Sequence, residues 1–94
     1  MAKAMWNGSV IAESERVQQV DGYTYFPADA VGPDHLRPSE HVSVCGWKGT
    51  ASYFDVLAGG AVNPEAAWTY TDAKPAAAHI RGWIGFWRGV EVLP

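Results

Sequence analysis

Short stretches of alternating apolar and polar residues run along this chain, and two-residue turn signals separate the first of them. Asn7-Gly8 and Asp21-Gly22 each lie between two such stretches, and this arrangement is the strongest short-range signal of a β-hairpin. In the second hairpin a two-residue turn pairs Val20 with Tyr23. The first quarter of the chain is therefore predicted to form two hairpins.

The middle and end of the chain carry further strand patterns. Residues 27–40 read as a loop, because this stretch holds three prolines and Gly32. Residues 41–45 then alternate with period two, which predicts a strand with Val42 and Val44 on one side. Later strands are predicted at residues 50–57, 61–62, 67–70, 83–87 and 90–92, with Asn63-Pro64-Glu65 as an interruption.

One short helix is predicted in the C-terminal half. Asp72 or Lys74 can cap it, Pro75 suits its first turn, and Gly82 ends it. The chain is therefore expected to form a single mainly β domain over residues 1–94, built from antiparallel sheets and carrying one short late helix.

Size and charge narrow the class of protein. Ninety-four residues support one hydrophobic core, and the formal charge of -3 comes with only seven scattered Lys and Arg residues. No basic stripe is present to neutralise a phosphate backbone, so we expect no nucleic-acid partner. The single Cys cannot form an internal disulfide, and the first residues lack an apolar run. We expect a reduced cytoplasmic protein without a membrane partner.

The aromatic content is high for so small a chain, with five Trp, four Tyr and three Phe. Burying one Trp removes about 200 Å² from water, and at about 25 cal/mol per Å² this is worth roughly 5 kcal/mol, so core packing is one interpretation of these residues. Trp and Tyr also carry polar groups that need partners when buried. Some of these rings are therefore expected to line a cavity or the surface.

The stretch from Cys45 to Tyr53 places a thiol, an indole, an ammonium and a phenol within nine residues. It contains the only thiol together with Trp47 and Lys48, and two glycines flank that pair. Glycine permits tight turns and the close approach of another group to the backbone, as at the mouth of a site. We therefore place the candidate site at this turn.

Several short motifs occur in a fixed order along the chain. They are Trp6-Asn7-Gly8, Tyr25-Phe26-Pro27, Leu36-Arg37-Pro38-Ser39, the run 45–53, Asn63-Pro64, residues 66–70, Lys74-Pro75-Ala76-Ala77 and residues 86–92. Together they resemble the family called domain of unknown function 427, and the resemblance covers essentially the whole chain. It implies a β-tent type of fold, in which two strongly twisted antiparallel sheets meet at an angle. Some larger relatives with that fold hold a cysteine-bound zinc or a small ligand in an aromatic cage.

The resemblance does not carry every property of such relatives to this chain. A structural zinc site uses about four Cys or His ligands in paired spacings, and one Cys is too few, so no metal or other cofactor is expected. The chain also lacks a Gly-Ser followed by spaced aspartates and a phosphate-cradling glycine loop. A nucleotidyltransferase activity is therefore not expected.

The first hypothesis for function is a small-molecule-binding module. Aromatic walls with a few polar contacts are typical of such sites. Lys48 beside the rings favours an anionic or neutral polar ligand over a cation. The expected walls are Tyr25, Trp47, Tyr53, Trp68 and Tyr70, and the expected polar contacts are Arg37, Cys45 and Lys48.

Two other classes of function stay open at this point. An enzyme could act on a small metabolite through Cys45 or Lys48, although His41 lies four residues from Cys45, about 13 Å along a strand, and cannot activate it without a bend. Lys48 would need a lowered pKa to form a Schiff base. Alternatively, exposed rings could serve a protein-interaction or dimerisation module, and a homodimer is compatible with the sequence.

Overall fold

The computed structural model describes all 94 residues and contains nine β-strands and three 3-10 helices. The strands are β1 (Ala2–Trp6), β2 (Ser9–Ser14), β3 (Gln18–Val20), β4 (Tyr23–Phe26), β5 (Leu36–Cys45), β6 (Gly49–Ala58), β7 (Ala61–Thr69), β8 (Ile84–Phe86) and β9 (Glu91–Leu93). The 3-10 helices are Ala28–Ala30, Pro33–His35 and Pro75–Ile80. None of these helices is long and apolar enough to cross a membrane.

The strands form two antiparallel sheets, as the sequence predicts. The smaller sheet has the order β2-β1-β9, and the larger sheet has the order β3-β4-β8-β7-β6-β5. Every strand pair in both sheets is antiparallel. The mainly β fold class is therefore confirmed.

Both predicted hairpin turns are present. Asn7 and Gly8 have φ values of 49° and 78°, and Asp21 and Gly22 have values of 53° and 80°. Two successive positive φ values are typical of the type I′ turn, whose twist matches that of the flanking strands. The second hairpin has the predicted register, since Val20 pairs with its partner at position 23.

The predicted loop over residues 27–40 is too long. It ends at His35, because β5 begins at Leu36 and includes Pro38. Proline has no backbone N–H for a sheet ladder, but β5 lies at the edge of the larger sheet, where one side of the strand needs no partner. The pairing of β5 with β6 is irregular between Pro38 and Val42.

Two further details differ from the prediction. The late helix is a 3-10 helix with a kink at Ala77, because so short a segment does not repay the entropy of nucleating an α-helix. Asn63-Pro64-Glu65 lies within the continuous strand β7 as a local bulge. The last predicted strand is present as β9, and it pairs with β1 in the smaller sheet.

Two hydrophobic clusters use opposite faces of the larger sheet. Neighbouring residues on a strand point to opposite faces, and Phe26 and Ala67 belong to one cluster while Tyr25 and Trp68 belong to the other. The first cluster includes Ala4 and other residues of the smaller sheet, so it fills the space between the sheets. The second cluster is aromatic and packs against the Pro75–Ile80 segment.

Asp55 holds the bulge of β7 in place. Its carboxylate accepts hydrogen bonds from Arg37 at 2.8 Å and from the backbone N–H of Glu65 at 2.9 Å, and Glu65 has a φ of 56°. The Arg37 guanidinium, together with that N–H, holds the pKa of Asp55 below its ordinary value. The carboxylate thus fixes the Glu65 backbone, whose carbonyl accepts a hydrogen bond from Trp87.

We expect Asp55→Asn to reduce the loss of stability in acid. A depressed folded-state pKa means that the unfolded chain binds more protons, so the Asp55 contribution is complete above about pH 4 and is lost as the pH falls below that value. Thermal melts between about pH 6 and pH 2 measure the effect. The exposed Asp34→Asn is the control and is expected to follow the wild-type curve. Identical pH curves for Asp55→Asn and wild type would contradict the assignment.

Candidate functional site

The aromatic face of the larger sheet encloses a cavity of about 140 Å³ that opens to solvent. Strands β4, β6 and β7 contribute rings to it, and the segments that follow β7 and β8 contribute one ring each. The turn between β5 and β6 adds the single lysine of the lining. We call this space the aromatic cavity, and its lining residues are Tyr23, Tyr25, Lys48, Tyr53, Trp68, Tyr70 and Trp87.

Trp68 lies at the centre of the lining. Its ring centroid is 4.9 Å from that of Tyr23 and 5.6 Å from that of Trp87, both in edge-to-face geometry. Tyr25 and Tyr53 lie at 6.1 and 6.3 Å. Edge-to-face contacts of this kind stabilise aromatic pairs beyond their buried area. The rings therefore hold one another in position around the cavity and do not fill it.

Gly85 on β8 gives Trp68 the space that it occupies. A Cβ atom at this position would lie 2.8 Å from the Trp68 ring and 3.1 Å from that of Tyr25. Trp68 pairs directly with Gly85 across the β7–β8 ladder. The absence of a side chain at position 85 is therefore what allows the two rings to lie against the sheet.

Lys48 supplies the positive charge of the aromatic cavity. Its side chain is only 8% exposed, and its ammonium lies 2.9 Å from the carboxylate of Asp21, which is 54% exposed in the β3–β4 turn. The ammonium also lies 5.7 Å from the Tyr70 ring centroid. Desolvation lowers the pKa of Lys48, but the hydrogen bond to Asp21 and the nearby phenols outweigh it, and the net pKa is raised. Lys48 is thus a charged ammonium at neutral pH.

The hydroxyl groups around the aromatic cavity fall into two classes. Tyr25 accepts a hydrogen bond from the Trp68 indole N–H at 3.2 Å, and Tyr53 shares one with Ser43 at 3.0 Å. The hydroxyls of Tyr23 and Tyr70 have no partner in the chain, although Tyr70 is only 6% exposed. Burial raises the pKa of Tyr70 and keeps its phenol protonated. Tyr70 therefore presents an unused donor to the cavity.

Cys45 lies beside the aromatic cluster without lining the aromatic cavity. Hydrogen bonds from the backbone N–H groups of Trp47 and Lys48 lower the pKa of its thiol. His41 pairs with Glu65 and His35 bonds the Leu57 carbonyl, so both of these imidazoles are paired with other groups. The chain also contains no group of three or more His, Cys, Asp or Glu side chains that could hold a metal ion.

The structure brings together most of the residues predicted for the site. Tyr25, Lys48, Tyr53, Trp68 and Tyr70 all line the aromatic cavity. Three predicted residues do not line it. Arg37 is bound by Asp55, Trp47 is 40% exposed with its ring against the Lys48 ammonium, and Cys45 lies beside the cluster.

Two residues that line the aromatic cavity, Tyr23 and Trp87, are not among those predicted from the sequence. The signal for Tyr23 was available, because it precedes Tyr25 by two residues on one strand and must share its face. Trp87 shares the parity of Gly85, but which face of that apolar segment points to the aromatic rings is a property of the tertiary fold. Its indole N–H bonds the Glu65 carbonyl at 2.7 Å, a contact between residues 22 positions apart.

Comparison with known proteins places the chain in a family. The chain has no match among curated proteins. A family model described as a domain of unknown function, DUF427, matches residues 1–93. Since this match covers essentially the whole chain, as the sequence motifs predict, the protein belongs to the DUF427 family.

Proposed function

We propose that this protein binds a small molecule whose apolar, ring-sized part enters the aromatic cavity. The observation that carries the proposal is that six aromatic rings from separate parts of the chain surround an open space instead of interlocking. Aromatic walls with a few convergent polar groups are typical of ligand sites. Lys48 and the unpartnered Tyr70 hydroxyl supply those polar groups.

The size of the cavity limits what can enter it. At about 140 Å³ it lies below the roughly 300–1,000 Å³ of sites for drug-sized ligands. A cavity of about 150 Å³ accommodates benzene in another protein. The ligand is therefore a single-ring compound, or a larger molecule of which one ring enters while the rest stays in solvent.

Binding is favoured over the two other classes of function. A Schiff-base enzyme needs a neutral lysine, whereas the pKa of Lys48 is raised. Cys45 does not line the cavity, so a ligand bound there does not reach its thiol directly. The exposed apolar side chains that suit a protein interface, Val42, Val44 and Trp47, lie outside the aromatic cavity on the β5–β6 hairpin.

Titration with single-ring compounds tests the proposal. Benzoate, benzamide and benzylammonium share one ring and differ in charge, and the indole N–H signals of the five Trp residues report on binding by NMR. We expect saturable shifts at Trp68 and Trp87, with a Kd on the order of 1 mM for the best probe, about -4.1 kcal/mol. The signals of Trp6 and Trp83, which do not line the cavity, should stay in place.

We expect Trp87→Leu to weaken binding of the best probe about tenfold, because loss of one aromatic wall removes roughly 1.4 kcal/mol of contact. Trp83→Leu is the matched control. Trp83 flanks the same strand and packs against the same cluster, but it does not line the cavity. Its replacement should change the Kd less than twofold, a figure on the order of the experimental error. Equal losses in both variants, or no saturable binding of any probe to wild type, would refute the proposal.

A further inference from the structure

The place that a bound cation would take in the aromatic cavity is already filled. Lys48 lies 5.2 Å from the Trp47 ring centroid and 5.7 Å from that of Tyr70, within the distance of a cation–π contact. The Lys48 side chain is 8% exposed, and its ammonium is positively charged at neutral pH. A second cation entering beside it would meet like-charge repulsion. The cavity is thus unsuited to an ammonium ligand.

Hydrogen-bond donors are in excess around Lys48. The Tyr70 hydroxyl has no partner in the chain, and the Tyr25 hydroxyl accepts a bond from Trp68 while its own proton is unused. The ammonium of Lys48 carries three protons, of which Asp21 engages one. Both phenols are close enough to Lys48 to influence its ionisation. A ligand group that fits this surface must offer several acceptor lone pairs.

Asp21 reaches the ammonium from outside the aromatic cavity. It does not line the cavity, and it lies in the β3–β4 turn with 54% of its side chain exposed. More than half of the Asp21 side chain is already exposed, so water can solvate this carboxylate when another anion takes its place at the ammonium. Asp21 therefore occupies an exchangeable position at Lys48, and it shows what type of group the ammonium accepts.

We infer that the aromatic cavity selects a carboxylate-bearing ring compound, whose carboxylate binds Lys48 and the Tyr70 hydroxyl while its ring packs against Trp68 and Trp87. This inference rests on the proposed function. The carboxylate satisfies the unused donors and competes with Asp21 for the ammonium. Asp21 thereby sets the affinity, since it opposes the entry of a second negative charge.

The three single-ring probes separate this inference from the proposed function. We expect benzoate to bind wild type about tenfold more tightly than benzamide, and benzylammonium to bind most weakly, because charge-assisted hydrogen bonds exceed neutral ones in strength. Benzamide binding as tightly as benzoate, or benzylammonium binding best, would overturn the carboxylate inference and leave ring binding intact. Absence of binding by all three would overturn both.

Variants at Lys48 and Tyr70 test which hydrogen-bond donors bind the carboxylate of the ligand. Lys48→Met should raise the Kd of benzoate about tenfold and change that of benzamide by less than about threefold. Tyr70→Phe, which keeps the ring, should raise the benzoate Kd about fivefold. Lys74→Met is the matched control, since Lys74 bonds the Gly46 carbonyl on the exposed surface outside the cavity. An equal effect of Lys74→Met would show a nonspecific charge effect and overturn the assignment.

Asp21→Asn tests the competition directly. Asparagine tolerates the left-handed backbone of this turn, where φ is 53°, and it removes the charge alone. We expect the Kd of benzoate to fall at least about threefold, because the opposing carboxylate is gone. The Kd of benzamide should stay constant. Asp72→Asn is the control at another exposed position. Weaker or unchanged benzoate binding in Asp21→Asn would contradict the role assigned to Asp21.

Discussion

Gly85→Ala is expected to destabilise the protein by about 3 kcal/mol, at the upper end of the range for overpacking. The added Cβ atom would lie 2.8 Å from two atoms of the Trp68 ring, so Trp68 can be accommodated only by moving toward the aromatic cavity together with the rings that are packed against it. Rigid buried rings cannot give way as a flexible chain end does. The melting temperature should fall by roughly 10–20 °C.

Gly46→Ala is the control for this substitution. A Cβ atom at Gly46 would meet nothing within 4 Å, and its φ lies outside the left-handed region. Its free energy of unfolding should stay within about 0.5 kcal/mol of wild type. The Gly85→Ala variant should also lose most of its affinity for benzoate, because Trp68 must move. A Gly85→Ala variant as stable as Gly46→Ala would show that Trp68 lies elsewhere.

Phe26→Ala is expected to cost about 4 kcal/mol, the largest effect of any substitution considered. Phe26 is 0% exposed in the cluster between the sheets, and its ring lies 5.8 Å from that of Phe86. Truncation leaves a cavity that the two sheets cannot close, which places the cost at roughly 3–5 kcal/mol. A domain of this size has a total stability of about 5–14 kcal/mol, so the variant is marginal at 25 °C.

Urea denaturation measures this loss, and Phe54→Ala is the matched control. Phe54 packs against the same cluster but is partly exposed, so its truncation should cost about half as much. Equal losses would contradict the assignment of Phe26 to the space between the sheets. The comparison separates a fully buried residue of this cluster from a partly exposed one.

Local rules explain why much of the fold can be predicted from the sequence. Asn7-Gly8 and Asp21-Gly22 favour one turn type, and that turn fixes the pairing of Val20 with Tyr23. The alternation at residues 67–70 puts Trp68 and Tyr70 on one face, where the structure has them. These features depend on neighbours within a few positions.

Features that depend on distant contacts could not be predicted in the same way. Pro38 reads as a loop residue, and only the edge position of β5 allows it in a strand. Arg37 reads as a ligand contact, but the register of β5 and β6 places it opposite Asp55, which binds it. The position of β9 beside β1 and the place of Trp87 in the cavity likewise follow from the packing of the sheets.

A crystal structure of the protein grown with benzoate would show whether the aromatic cavity holds a ring whose carboxylate lies at Lys48. We expect density for one ring in the aromatic cavity, packed against Trp68 and Trp87, with its carboxylate at the Lys48 ammonium and the lining rings close to the positions described above. An aromatic cavity that is filled by its own lining side chains, with no bound probe, would contradict this expectation.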